Sequence, residues 1–134
     1  PDVGVESTLK EMGVPLVISD GQVWLRVSSY SSIFRILFNA TYLDAKHSSM
    51  ALDLLTRSKF MKGLRAGLPT DIKIAHKFGE RGFGDDFQLH DCGIVYVPKT
   101  PYLLCVMTRG KAFDDLSEAI RNISDVVYRN VSAQ

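Results

Sequence analysis

Apolar residues recur at helical intervals through the first half of the chain, alternate strictly from near residue 70, and return to helical spacing at the end. Ser28 or Ser29 is placed to cap a helix that carries Tyr30, Ile33, Phe34, Leu37 and Leu43 three and four residues apart. Ile36 and Phe38 widen its apolar face, which predicts a well-buried helix. A second helix is predicted from Ser48 or Ser49, with Met50, Leu52, Leu54 and Leu55. Phe60, Met61, Leu64 and Leu68 then lead to Pro69, which closes the helical part. Ahead of these, Ser7 to Met12 reads as a short helix ended by Gly13. Val14–Ile18 and Gln22–Val27 bracket Asp20-Gly21, a hairpin-type pair, so either a small hairpin or an irregular connection fits.

After Pro69, Ile72, Ile74, His76 and Phe78 alternate with Lys73, Ala75 and Lys77, which predicts a strand. Gly79–Gly84 reads as a turn-rich break, Phe87–Val97 as a second strand, Pro98–Pro101 as a tight connection and Tyr102–Thr108 as a third strand, ended by Gly110. Short loops predict a three-stranded antiparallel meander. The last segment has Phe113, Leu116, Ile120, Ile123 and Val127 at spacings of three and four, with Asp114 and Asp115 in its first turn and Arg129 in its last. It predicts a helix packed on one face of the meander. The fold class is α+β: residues 1–69 mostly helical, 70–134 strands plus a C-terminal helix.

Composition narrows the function classes. A chain of 134 residues that is 46% hydrophobic can bury a core and is not disordered. Its formal charge of +1 gives no field suited to nucleic acid or an anionic membrane. No apolar run approaches the roughly 18–20 residues of a membrane span, and Pro1-Asp2-Val3-Gly4 has neither the basic flank nor the apolar stretch of an export signal. No internal repeat or linker divides the chain, which reads as one domain unit over 1–134.

Candidate chemistry is sparse. His47, His76 and His90 share no metal-ligand spacing with Cys92 or Cys105, so no metal site is expected, and His76, on the apolar face of its strand, reads as a packed, hydrogen-bonded histidine. If the second loop centres on Pro98-Lys99, Cys92 and Cys105 face each other; a cross-strand disulfide is then geometrically possible, although two small buried thiols are the simpler reading. Gly79-Glu80-Arg81-Gly82-Phe83-Gly84 joins two strands instead of opening a helix, which suits a plain turn and not a phosphate loop. Three Asn-x-Ser/Thr matches, at Asn39, Asn122 and Asn130, fall in predicted helices or the tail and read as chance. Lys77 closes its strand beside Gly79, on the face opposite Ile72, Ile74 and Phe78. On spacing alone a solvated edge lysine is the simpler reading; the sharper one is a charge presented to a cleft where the backbone can approach a ligand.

Four segments in order then carry a resemblance: Leu64-Arg65-Ala66-Gly67-Leu68-Pro69, Ile74-Ala75-His76-Lys77-Phe78-Gly79, His90-Asp91-Cys92-Gly93-Ile94-Val95-Tyr96, and Val106-Met107-Thr108-Arg109-Gly110. Over about residues 28–131 the chain resembles the C-terminal half of a class A β-lactamase-like, penicillin-recognising serine hydrolase domain. In that superfamily an Ala-Gly-(Leu/Val)-Pro-like turn precedes a Lys-Thr-Gly strand, two more strands and a C-terminal helix.

The resemblance implies acyl transfer on β-lactams, D-alanyl peptides or esters, by a serine in a Ser-x-x-Lys motif, with a Ser-x-Asn motif shuttling protons. It implies that Lys77 binds a substrate carboxylate, that Gly79 lets substrate approach, and that the Glu80 N–H is an oxyanion donor. Phe78 stands where Thr or Ser is usual, removing a hydroxyl from that group, and His90 or Asp91 stands where many relatives place an arginine. Between Gly13 and Ser28 no Glu-x-x-x-Asn appears, so fast deacylation is not implied. The nucleophile motifs and first strands are expected upstream of Pro1, leaving no nucleophile on this chain. Pairing with that N-terminal half, or self-association through the open sheet edge, is the expected partnership. No cofactor is implied, and the compartment implied is periplasmic or extracellular. An inactive relative that binds peptidoglycan peptides or a protein partner, and an unrelated α+β interaction module, are the alternatives.

Overall fold

The computed structural model describes residues 3–134, apart from the side chains of Val3 and Phe83; Pro1-Asp2, part of the start read above for an export signal, lies outside them. The elements run α1 (Val3–Glu11), β1 (Val17–Ser19), β2 (Gln22–Trp24), α2 (Val27–Phe38), α3 (Ala45–Leu55), α4 (Gly63–Ala66), β3 (Ile74–Phe83), β4 (Asp86–Val95), β5 (Tyr102–Gly110) and α5 (Phe113–Ser132). β3, β4 and β5 form the antiparallel meander in that order, so β3 and β5 are both edges. Among the described residues no helix is long and apolar enough to cross a membrane.

The N-terminal ambiguity resolves as a hairpin. Asp20 and Gly21 both take positive φ, 52° and 70°, as a two-residue turn matched to strand twist requires. Neither helix start coincides with the expected serines. Arg26 occupies the cap of α2 without a side-chain bond, while Ser31 and Ser32 donate back to the carbonyls of Ser28 and Ser29. α3 starts earlier than Ser48 because Asp44 is its cap, accepting the His47 N–H at 2.8 Å. α2 is also less buried than its apolar width suggests: Phe34 and Ser29 are covered, but Phe38 is 49% exposed.

The run from Gly79 to Gly84 is not the expected turn. Gly79, Glu80 and Arg81 continue β3, paired with His90, Leu89 and Gln88, and the chain reverses only at Gly84-Asp85. A full partner strand overrides the weak strand preference of two glycines. β3 itself starts at Ile74, two residues later than Ile72.

α5 packs on one face of the sheet. Leu116 and Ile120 meet Leu64, Ile74, Leu89 and Val95 in the larger core. One residue of the expected stripe fails: Ile123 is 41% exposed, and Ser124 is the buried one. The reason is α4, wedged between α5 and the sheet. Its Leu64 carbonyl accepts the Ser124 hydroxyl at 2.8 Å, and the Ser117 hydroxyl accepts the Gly63 N–H at 3.3 Å. Small hydroxyl residues let the two helices approach and satisfy buried main-chain groups at once.

Candidate functional site

The alternation of the β3–β4 ladder decides which backbone groups face outward. Tyr96 N–H donates to the Lys73 carbonyl, so the odd-numbered residues of β3 exchange bonds with β4. The even-numbered ones, Phe78 and Glu80 among them, turn N–H and C=O to the open edge. Lys77 Nζ uses one of these groups, donating to the Phe78 carbonyl at 2.6 Å while lying 5.1 Å from the Phe78 ring centroid. Lys77, Gly79 and Glu80 therefore stand together along a free edge, with the lysine exposed.

Lys77 and Gly79 share the sheet face that looks toward α2. There the His90 imidazole lies over Gly79: a Cβ at that position would sit 2.4 Å from His90 Cε1, so glycine is what makes room for the ring. Tyr30 of α2 completes the cluster. Its ring meets His90 edge-on at 5.0 Å, and its hydroxyl donates to the Lys77 carbonyl at 3.2 Å. Burial, reinforced by the Asp91 carboxylate, pushes the Tyr30 pKa up to about 12, which keeps the phenol a donor. Burial pushes the His90 imidazole down, an effect Asp91 opposes and Lys77 reinforces.

Phe78 points to the opposite face. Its ring stacks on Phe60 at 3.8 Å, against the larger core. His76 is on that face too, packed and hydrogen-bonded as its position in the strand suggested. His76 and Asp91 are 2% and 0% exposed, and Nδ1 lies 2.9 Å from Asp91 Oδ1. Asp91 Oδ2 accepts the Leu64 N–H at 3.0 Å. Gly63 leaves room for this carboxylate; a Cβ there would stand 2.7 Å from Oδ2.

Two readings need correction. Cys92 and Cys105 are not free thiols but a disulfide between directly opposed residues of β4 and β5, with Cα atoms 4.0 Å apart. The register expected from Pro98-Lys99 holds; the simpler thiol reading does not. The sequence also contains a Ser-x-x-Lys spacing, Ser7-Thr8-Leu9-Lys10, passed over above. It lies on α1, where both Ser7 and Lys10 are exposed, and α1 packs against none of the other helices or strands. Among the described residues, then, no nucleophile of that motif is brought to Lys77. Tyr30 is the member of the cluster that sequence reasoning missed as more than an apolar helix residue; its hydroxyl, among apolar neighbours, was the available signal.

Residues 9–131 match the family model of the beta-lactamase enzyme family, and the chain belongs to that family. No curated protein sequence matches it. Among solved structures it is similar to PBP-A, with a TM-score of 0.80 and 22% identity over 97% of this chain and 51% of that one. A PBP-A variant held as an acyl-enzyme complex with penicillin G matches with a TM-score of 0.77 and 21% identity, again over 97% and 51%. A beta-lactamase from Sphaerobacter thermophilus DSM 20745 matches with a TM-score of 0.81 and 13% identity, over 97% and 53%. The chain thus has the β-lactamase and penicillin-binding-protein type of fold and spans about half the length of these solved chains.

Proposed function

We propose that residues 1–134 are the C-terminal part of a penicillin-recognising serine hydrolase domain, whose active site is completed by an N-terminal half that carries the serine. The observation behind this reading is the free β3 edge. It sets an exposed ammonium, Lys77, beside outward-facing main-chain groups at Phe78 and Glu80. In this reading Lys77 attracts the carboxylate of a β-lactam or D-alanyl peptide, Gly79 keeps the strand open to it, and the Glu80 N–H faces the developing oxyanion. The N-terminal half would cover the β5 edge and the apolar groove of about 550 Å³ between α2 and β5, lined by Phe34, Phe38 and Leu103. The Cys92–Cys105 disulfide supports an oxidising, periplasmic or extracellular setting.

Intact-mass analysis of the full-length protein with and without penicillin G tests this. The expected result is a gain of one penicillin on a peptide outside these 134 residues, slowed roughly 10- to 100-fold by Lys77→Ala, the loss of one charge-assisted contact. Absence of any adduct with penicillin or an active ester overturns the catalytic reading. Phe78 supports the second reading, an inactive relative that binds peptidoglycan peptides or a protein partner, because its ring is committed to Phe60 and offers no hydroxyl. If Phe78→Thr also fails to restore acylation, that reading is the one left.

A further inference from the structure

A second cavity, of about 400 Å³, lies beside the first residues of β3, between the end of α3, α4 and the 70–73 segment. Its lining includes Thr56, Ser58, Arg65, Asp71, Lys73 and His76. The site is distinct from the Lys77 edge, since none of Lys77, Phe78, Gly79 and Glu80 lines it.

Arg65 donates to the carbonyls of Ile72, Leu68 and Pro69, all neutral, and joins no ion pair among the described residues. These three bonds leave Nε–H and one NH1 hydrogen of the guanidinium unassigned. Lys73 is scarcely better neutralised. Its Nζ is 3.9 Å from Asp53 Oδ1, while the other oxygen of Asp53 is taken by Arg57. Against these two cations the lining holds one carboxylate, the exposed Asp71. His76 is almost wholly buried yet lines the cavity, and Asp91, which does not line it, holds its Nδ1 side. A buried, oriented imidazole, two under-neutralised cations and the hydroxyls of Thr56 and Ser58 form a surplus of donors and positive charge around one space.

We propose that this cavity is a binding site for a small oxyanion, held by Arg65 and Lys73 beside His76. The bound ion accepts from the free guanidinium hydrogens and from the lysine, while His76, held on its Nδ1 side by Asp91, lines the same space and senses the ion. The ligand class is a phosphate or a carboxylate group.

The test is an NMR titration of the full-length protein with inorganic phosphate at constant ionic strength, following His47, His76 and His90. His76 is expected to shift saturably, while His47 and His90 stay put. Lys73→Gln, at an exposed position, should weaken binding about fivefold or more without unfolding the chain. Arg65→Gln should abolish it, although loss of its carbonyl bonds also loosens the 68–72 segment, so Lys73→Gln is the deciding variant. A parallel titration with acetate assigns the class: tighter phosphate binding names a phosphate group, equal or tighter acetate binding a carboxylate. A His76 response that never saturates, a common shift of all three histidines, or an unchanged affinity in Lys73→Gln overturns the proposal.

Discussion

The two faces of the sheet are built to different degrees of completion. On the α5 side, Leu64, Leu89, Val95, Leu116 and Ile120 close one continuous core, and its polar groups are paired as His76 with Asp91, Asp91 with Leu64 N–H, and Ser124 with the Leu64 carbonyl, the Tyr102 hydroxyl being the exception among the described residues. On the α2 side the buried apolar cluster is the smaller one of Phe34, Cys92 and Ile94, with partly covered neighbours and an open groove. Exposed Phe38, Met50 and Leu54 lie on the helices that flank that side. One face is stabilised by what the chain itself supplies. The other carries Lys77, Tyr30 and His90, the face of the proposed site, on a scaffold that a disulfide helps to hold.

This contrast predicts that the largest stability losses come from the closed face. Asp91→Ala leaves His76 and the Leu64 N–H buried without their acceptor and should cost about 3–5 kcal/mol in urea unfolding. Asp91→Asn, which keeps the shape and one acceptor, should cost less. If Asp91→Ala loses under about 1 kcal/mol, the paired network is not what holds α4 to the sheet, and the contrast between the faces breaks.

On the open face the covalent link is the main stabiliser. Cys92 and Cys105 are 13 residues apart, and a loop of that size is tied off with roughly 2–3 kcal/mol of unfolded-state entropy. The double variant Cys92→Ala/Cys105→Ala, or reduction of the native protein, should lower the unfolding free energy by about 2 kcal/mol. Equal stability in the two redox states would show that the β4–β5 hairpin is already ordered without the link.

The same contrast explains what was legible in the sequence. Periodicity locates the sheet and α5, because a face completed within the chain imposes a complete pattern on it; the register that opposes Cys92 to Cys105 follows from one loop. Ile123 was misplaced because α4, four residues long, is too short to announce itself, yet it dictates that a serine be buried. Asp44 went unseen as a cap because two serines nearby fit the same rule. On the open face the alternation put Lys77 on the correct side, but nothing in a one-dimensional pattern shows that Tyr30, 47 residues away, reaches its carbonyl. Long-range contacts to single main-chain atoms leave no period.

A smaller effect tests the cluster itself. Gly79→Ala sets a methyl against the His90 ring, which must swing away from Tyr30. Since a side chain and not the backbone is in the way, the cost should be about 1 kcal/mol. The clearer readout is the His90 resonance, which should lose the ring-current influence of Tyr30. An unchanged His90 signal would mean that Gly79 is not there to seat the imidazole.

The smallest expected effect is a slope with pH. Burial disfavours the charged His90 ring, so its folded pKa lies below the ordinary value of 6.5. Above 6.5 the ring is neutral in both states, and its contribution to stability is fully present. As pH falls below 6.5 the unfolded chain takes up the proton first, and stability declines until the folded ring is protonated too. The quantity to measure is the difference between the native chain and His90→Gln, which cancels every contribution the two share. Urea midpoints taken between about pH 8 and 5 should run parallel at the top of that range and converge or cross below it, the native chain losing more. A constant separation would mean that His90 is as solvated folded as unfolded, and that the open face reaches the imidazole itself.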